Sequence, residues 1–93
     1  MTTHGDKVRA NIIATGLRLW PQTSARAIGR ALDMSHMNVL YHFNGGEGLQ
    51  AAIAAAAIEQ RNSRIIRQLI ANDDPAIASL SAIERFEYMA VAG

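Results

Sequence analysis

The 93-residue chain contains no cysteine, which excludes a disulfide framework and any cysteine-ligated metal site. It has no long apolar run either. The most apolar stretch, 49–58, is about half the length a membrane-spanning helix needs. The first seven residues are polar and lack the apolar segment of a secretory signal, so a cytoplasmic location is expected. No stretch alternates apolar and polar side chains with a period of two, and no turn pair sits between strand-like runs, which argues against a sheet. No nucleophile–base pair is recognisable, and Gly45-Gly46-Glu47-Gly48 lacks the lysine that completes a phosphate-binding loop. His36 and His42 stand six positions apart with no third ligand nearby, a poor metal spacing. Neither an enzyme nor a bound metal or cofactor is expected.

Charge is sparse as well, at 18% of residues with a formal net charge of +1. Its distribution is uneven. Residues 1–47 hold Lys7, Arg9, Arg18, Arg26 and Arg30 against Asp6, Asp33 and Glu47, together with all three histidines. The remainder holds four arginines against five carboxylates. A surface that meets phosphates is therefore sought in the first half.

What is present is helical periodicity. Hydrophobic residues make up 49% of the chain, enough for a globular fold but one with a small core at this length. Val8, Ile12, Ile13, Leu17, Leu19 and Trp20 recur at three- and four-residue spacing, which predicts a helix over 6–20 stopped by Pro21. Asp6 suits its positive end. Thr23 or Ser24 is placed to cap a short helix ending near Asp33, with Ala27, Ile28, Ala31 and Leu32 on its apolar face. Ser35 is placed to cap another over 35–43, with Val39, Leu40 and Phe43 inward. Asn44-Gly45-Gly46 breaks the chain. One long helix is expected over 47–71, then Asp74 as cap and Pro75 as first residue of a last helix over 75–91.

The two short helices joined by a three-residue turn have helix-turn-helix dimensions, over 23–43. The outward set of the second is His36, Asn38, Tyr41 and His42. These are directional hydrogen-bonding groups that suit base edges and phosphates, where an ordinary solvated face would more often carry Lys and Glu.

Ser24-Ala-Arg-Ala-Ile-Gly-Arg-Ala-Leu-Asp-Met-Ser35, followed by Val39-Leu-Tyr-His-Phe43, Glu47 and Leu49, resembles the DNA-binding domain of the tetracycline-repressor family. The likeness covers a quarter to a third of the chain, roughly, and its most specific part is Tyr41-His42-Phe43. It implies an all-α fold, a three-helix head with a helix-turn-helix followed by two further helices. It also implies that Ser24 caps its helix and touches phosphate and that Arg26 reaches a base edge. His36, Met37, Asn38, Tyr41 and His42 would line the groove, with Ile28, Val39 and Phe43 in the core. The chain departs from the family pattern in several places. Asp33 stands for a turn glycine, Met37 for a small residue, Leu40 for an aromatic and Gly46 for a phosphate-binding lysine, and the link from Trp20 to Ser24 is shorter.

The expectation is a DNA-binding regulator, a repressor that binds a palindromic operator in double-stranded DNA as a homodimer. Residues 1–47 would form the reading head and 48–93 a helical dimerisation segment within one compact domain, with the subunit contact over 49–91. Ile65, Ile66, Leu69, Ile70, Phe86, Tyr88 and Met89 are the apolar surface such a contact would bury. Phosphate contacts would come from Ser24, Tyr41 and the start of the fourth helix, and specificity from Arg26, Asn38 and His42. Family members continue into a further helical domain, so the chain is either a fragment or a miniature. A miniature leaves no room for a small-molecule inducer. The alternative, favoured by the modest charge, is a helical protein-binding inhibitor or adaptor that uses the same fold without DNA. A structural module whose last helices pair with a different chain is a third possibility.

Overall fold

The computed structural model describes residues 3–90 as helices joined by short turns, with no strand among them, so the chain is all-α. Helix α1 spans His4–Leu19. Its start is a reciprocal cap: the Asp6 N–H donates to Thr3 Oγ1 at 3.1 Å, and the Thr3 N–H donates to Asp6 Oδ2 at 3.2 Å. The Thr3 backbone N–H and hydroxyl, with Arg9 adding attraction, hold the Asp6 carboxyl below its ordinary range. The helix ends where sequence chemistry places the stop, at an extended Trp20 before Pro21.

Helix α2 spans Ala25–Leu32 and is capped by Ser24, whose Oγ accepts from the Ala27 N–H at 3.0 Å. Thr23, the other candidate cap, is buried instead and bonded elsewhere. Helix α3 spans His36–Tyr41 under a Ser35 cap. It is shorter than the expected 35–43. Asn44 takes a left-handed conformation (φ 57°) and the Gly45 N–H closes back on the Leu40 carbonyl at 3.1 Å. Phe43 thus falls in the turn, and it and Leu40 are half-buried where full core positions were expected, while Val39 is fully buried.

The long helix expected over 47–71 is two helices, α4 over Gly46–Glu59 and α5 over Ser63–Ala71. Backbone closure explains the break. Arg61 is left-handed (φ 54°), its N–H donates to the Ile58 carbonyl, and the Asn62 N–H donates to the Ala57 carbonyl. This is the paired closure that ends helices, made without the usual glycine. Asn62 then caps α5 by accepting from the Ile65 N–H at 3.2 Å. A left-handed residue with a Cβ is strained by roughly 1–2 kcal/mol. Arg61→Gly removes that strain but adds unfolded-chain entropy, so a net gain of roughly 0.5–1 kcal/mol is expected, read as a higher urea midpoint. A lower midpoint would mean that α4 runs on through Arg61.

The last helix is also divided. Asp74 caps and Pro75 begins, as their chemistry predicts, but the product is a 3-10 turn over Pro75–Ser79. Helix α6, over Ala82–Ala90, follows it; the expected end at Val91 lies outside the described residues. Ser81 and Glu84 form a second reciprocal cap, at 2.9 and 3.1 Å, and those bonds lower the Glu84 pKa. Arg85 donates to the Leu80 carbonyl through Nε and Nη2, which satisfies the acceptor at the break.

The fold divides into two units, one ending at Ile53 and the other beginning at Ala54, so the boundary falls inside α4. Ile12, Leu17, Ile28, Val39, Leu49 and Ile53 are the buried apolar side chains of the first, and Ala54, Ala57, Ile65, Ile66, Leu69, Ile77 and Leu80 those of the second. Ile65, Ile66 and Leu69 are therefore core of the single chain and not the open surface expected for a subunit contact. Among the described residues no helix is long and apolar enough to cross a membrane.

Candidate functional site

The candidate site lies wholly in the first unit, on α2, α3 and the turn over 33–35. Three local features set its geometry. Ser24 and Ser35 each spend a hydroxyl lone pair on a free N–H of the first helical turn, so both helices start at a defined residue. Asp33, left-handed at φ 57°, turns the chain out of α2, and the Met34 N–H donates to the Gly29 carbonyl at 2.7 Å. Asp tolerates that conformation better than most side chains, so the turn forms without a glycine.

A third tie fixes the start of α2 against α4. Thr23 Oγ1 donates to Gln50 Oε1 at 2.7 Å, and Gln50 Nε2 donates back to the Thr23 carbonyl at 2.6 Å. One amide group thereby satisfies both a buried hydroxyl and a main-chain acceptor. Nothing in the sequence signals this pair, because the partners are 27 positions apart and Thr23 reads only as a candidate cap.

On α3 the burial pattern separates two sides. Val39 is fully buried, and the residues opposite it are the most open: Met37 is 65% exposed and Tyr41 78%. Asn38 is exposed as well, while His36 and His42 are half-buried. The Tyr41 and His42 rings meet edge to face, 5.7 Å between centroids at 78°. Such a pair restrains both rings at the end of the helix. Ser24 and Arg26 are exposed on α2. Of the residues expected to form the site, Ser24, Arg26, Met37, Asn38 and Tyr41 are therefore open to solvent, and His36 and His42 are partly so.

Arg30 was not among the expected site residues. It is exposed, and with Arg26, Met34, Ser35 and His36 it lines a shallow hollow between α2 and the start of α3. Its spacing of four from Arg26 was the available signal, since side chains i and i+4 on a helix are neighbours. Among the described residues no group of three His, Cys, Asp or Glu side chains gathers to hold a metal. The arrangement gathers charged and directional hydrogen-bonding groups. It consists of two cations, two imidazoles, a phenol, an amide and a thioether on one short helix pair.

Compared with known protein families, with curated proteins and with solved structures, the chain shows no match.

Proposed function

We propose that this chain is a sequence-specific DNA-binding regulator, a repressor of the tetracycline-repressor type, in which α2 and α3 form a helix-turn-helix. Helix α3 lies in the major groove and presents Met37, Asn38, Tyr41 and His42 to the DNA. The observation that carries this reading is the exposed face of α3. An apolar Met37 and an aromatic Tyr41 stand open to water on a helix whose other side is anchored by a buried Val39. Four positions apart, Met37 and Tyr41 are neighbours on the helix surface, and a contiguous apolar patch beside polar readers supports a contact surface. Asn38 supplies the amide whose donor and acceptor match the edge of adenine, and Tyr41 supplies a hydroxyl for phosphate.

The protein acts as a homodimer through residues within 49–91, with two half-sites about one helical turn apart on one face of the duplex. Exposed Ile83, Phe86 and Met89 on α6 support that choice. Spaced three apart, they leave an apolar stripe uncovered in the monomer, and a second copy would bury it. The rival is an adaptor or inhibitor that docks another protein, and the exposure of Met37 suits that partner too.

The two part company on salt. A DNA-binding chain is retained on random-sequence duplex at low ionic strength, and its affinity falls roughly tenfold or more between 50 and 200 mM salt as counterions are released. Absence of retention at 50 mM, or an affinity that does not change with salt, would rule out the DNA reading.

A further inference from the structure

Arg26 and Arg30 project from successive turns of α2 into one hollow, whose other walls are Met34, Ser35 and His36. Among the described residues no carboxylate lines it. Neither guanidinium has a hydrogen-bond or ion-pair partner among the described residues, and the adjacent Asp33 pairs with neither. Two unpaired like charges held on neighbouring turns repel one another, so the hollow favours an anion. Ser35 completes the donor set. Its Oγ accepts the Asn38 N–H at 3.1 Å, which leaves the hydroxyl proton free to donate. The half-buried His36 ring supplies a further polar edge.

We infer that this hollow is a phosphate clamp, in which Arg26, Arg30 and Ser35 grip one oxyanion group of the DNA backbone beside the groove that α3 enters. The inference rests on the DNA-binding reading and revises one part of it. Resemblance implies that Arg26 reads a base edge, whereas its place beside Arg30 makes it a positioning residue. Guanidinium forks match the paired oxygens of a phosphodiester, and such contacts fix register without reading sequence. The same chemistry would accept free inorganic phosphate, so the test has two arms.

In the first arm, Arg30→Gln, Arg26→Gln and Arg30→Lys are titrated against a selected duplex and a random duplex over a range of salt. Both glutamine variants should weaken the two duplexes by the same factor, about 3- to 10-fold. Each should also reduce the salt slope by about one per protomer. Arg30→Lys should keep the wild-type slope, because the charge remains. An unchanged slope in Arg30→Gln, or a loss confined to the selected duplex, would overturn the clamp.

The second arm follows the histidine and arginine side-chain NMR signals of the protein as inorganic phosphate is added. If the wild type binds no duplex but phosphate shifts His36 and both arginines, and Arg30→Gln abolishes those shifts, the oxyanion site stands and the DNA reading falls. No duplex binding and no shifts would remove both.

Discussion

Gly29→Ala is expected to destabilise the protein by about 2–4 kcal/mol and to abolish DNA binding with it. In an ordinary exposed helix the same change stabilises by close to 1 kcal/mol, because alanine is the better helix former. Here the sign reverses. A Cβ on Gly29 would stand 2.5 Å from the Met34 carbonyl oxygen and 3.5 Å from the His36 nitrogen. Both are main-chain atoms, so no side-chain rotation relieves the overlap. Relief requires α3 to move away from α2, which breaks the 2.7 Å Met34-to-Gly29 hydrogen bond and opens the turn that sets the angle of α3. A domain of this size has only about 5–10 kcal/mol of stability, so the loss is a large fraction of it. Gly46→Ala is the internal control. Gly46 opens α4 with nothing within 4 Å of its would-be Cβ, and that variant should match or exceed the wild type in its urea midpoint. A Gly29→Ala variant with an unchanged midpoint would contradict the close approach of α2 and α3.

The second large effect is on recognition. Asn38→Ala and Tyr41→Ala should each weaken binding to a selected operator by about 1–3 kcal/mol, roughly five- to 150-fold. Their signatures should differ. Asn38 is assigned to a base edge, so its loss should fall on the selected operator and leave random duplex nearly untouched. Tyr41 is assigned to phosphate, so its loss should fall on both alike. Both side chains are exposed, and stability should stay within about 0.5 kcal/mol of the wild type. Band shifts on the two duplexes, alongside urea melts, separate these outcomes. Undiminished binding in both variants would remove α3 from the interface.

The fold was legible in the sequence where a single residue type settles a local choice. Ser24 and Ser35 cap the helices they were expected to cap, Pro21 follows the end of α1, and Asn44 and Gly45 end α3. Asp74 caps at the expected residue but starts a 3-10 turn and not the last helix. The break between α4 and α5 was not legible. Apolar periodicity continues from Ile58 to Ile65 and Ile66, and an arginine gives no warning of a left-handed turn. Asn62 was the one clue, as a side chain that caps better than it propagates. The start of α6 was legible in principle. Ser81-Ala-Ile-Glu84 has the spacing of a reciprocal cap, but Pro75 was read as opening the whole segment.

On α3, periodicity puts Asn38 and Tyr41 outward and Val39 inward, as the structure has them. It also puts His36 and His42 outward, which are half-buried, and Met37 is placed at the groove only by the resemblance. The hollow between α2 and α3 was not legible. It depends on how two helices are set against each other, and that turns on the close approach at Gly29, which appears only in three dimensions.

The most direct measurement is selection of bound duplexes from a random-sequence pool by the full chain. Enrichment of an inverted repeat, with half-site centres about 10 base pairs apart, is the predicted outcome for a dimer that places one α3 in each of two successive major grooves. A pool that stays random after repeated rounds would contradict it.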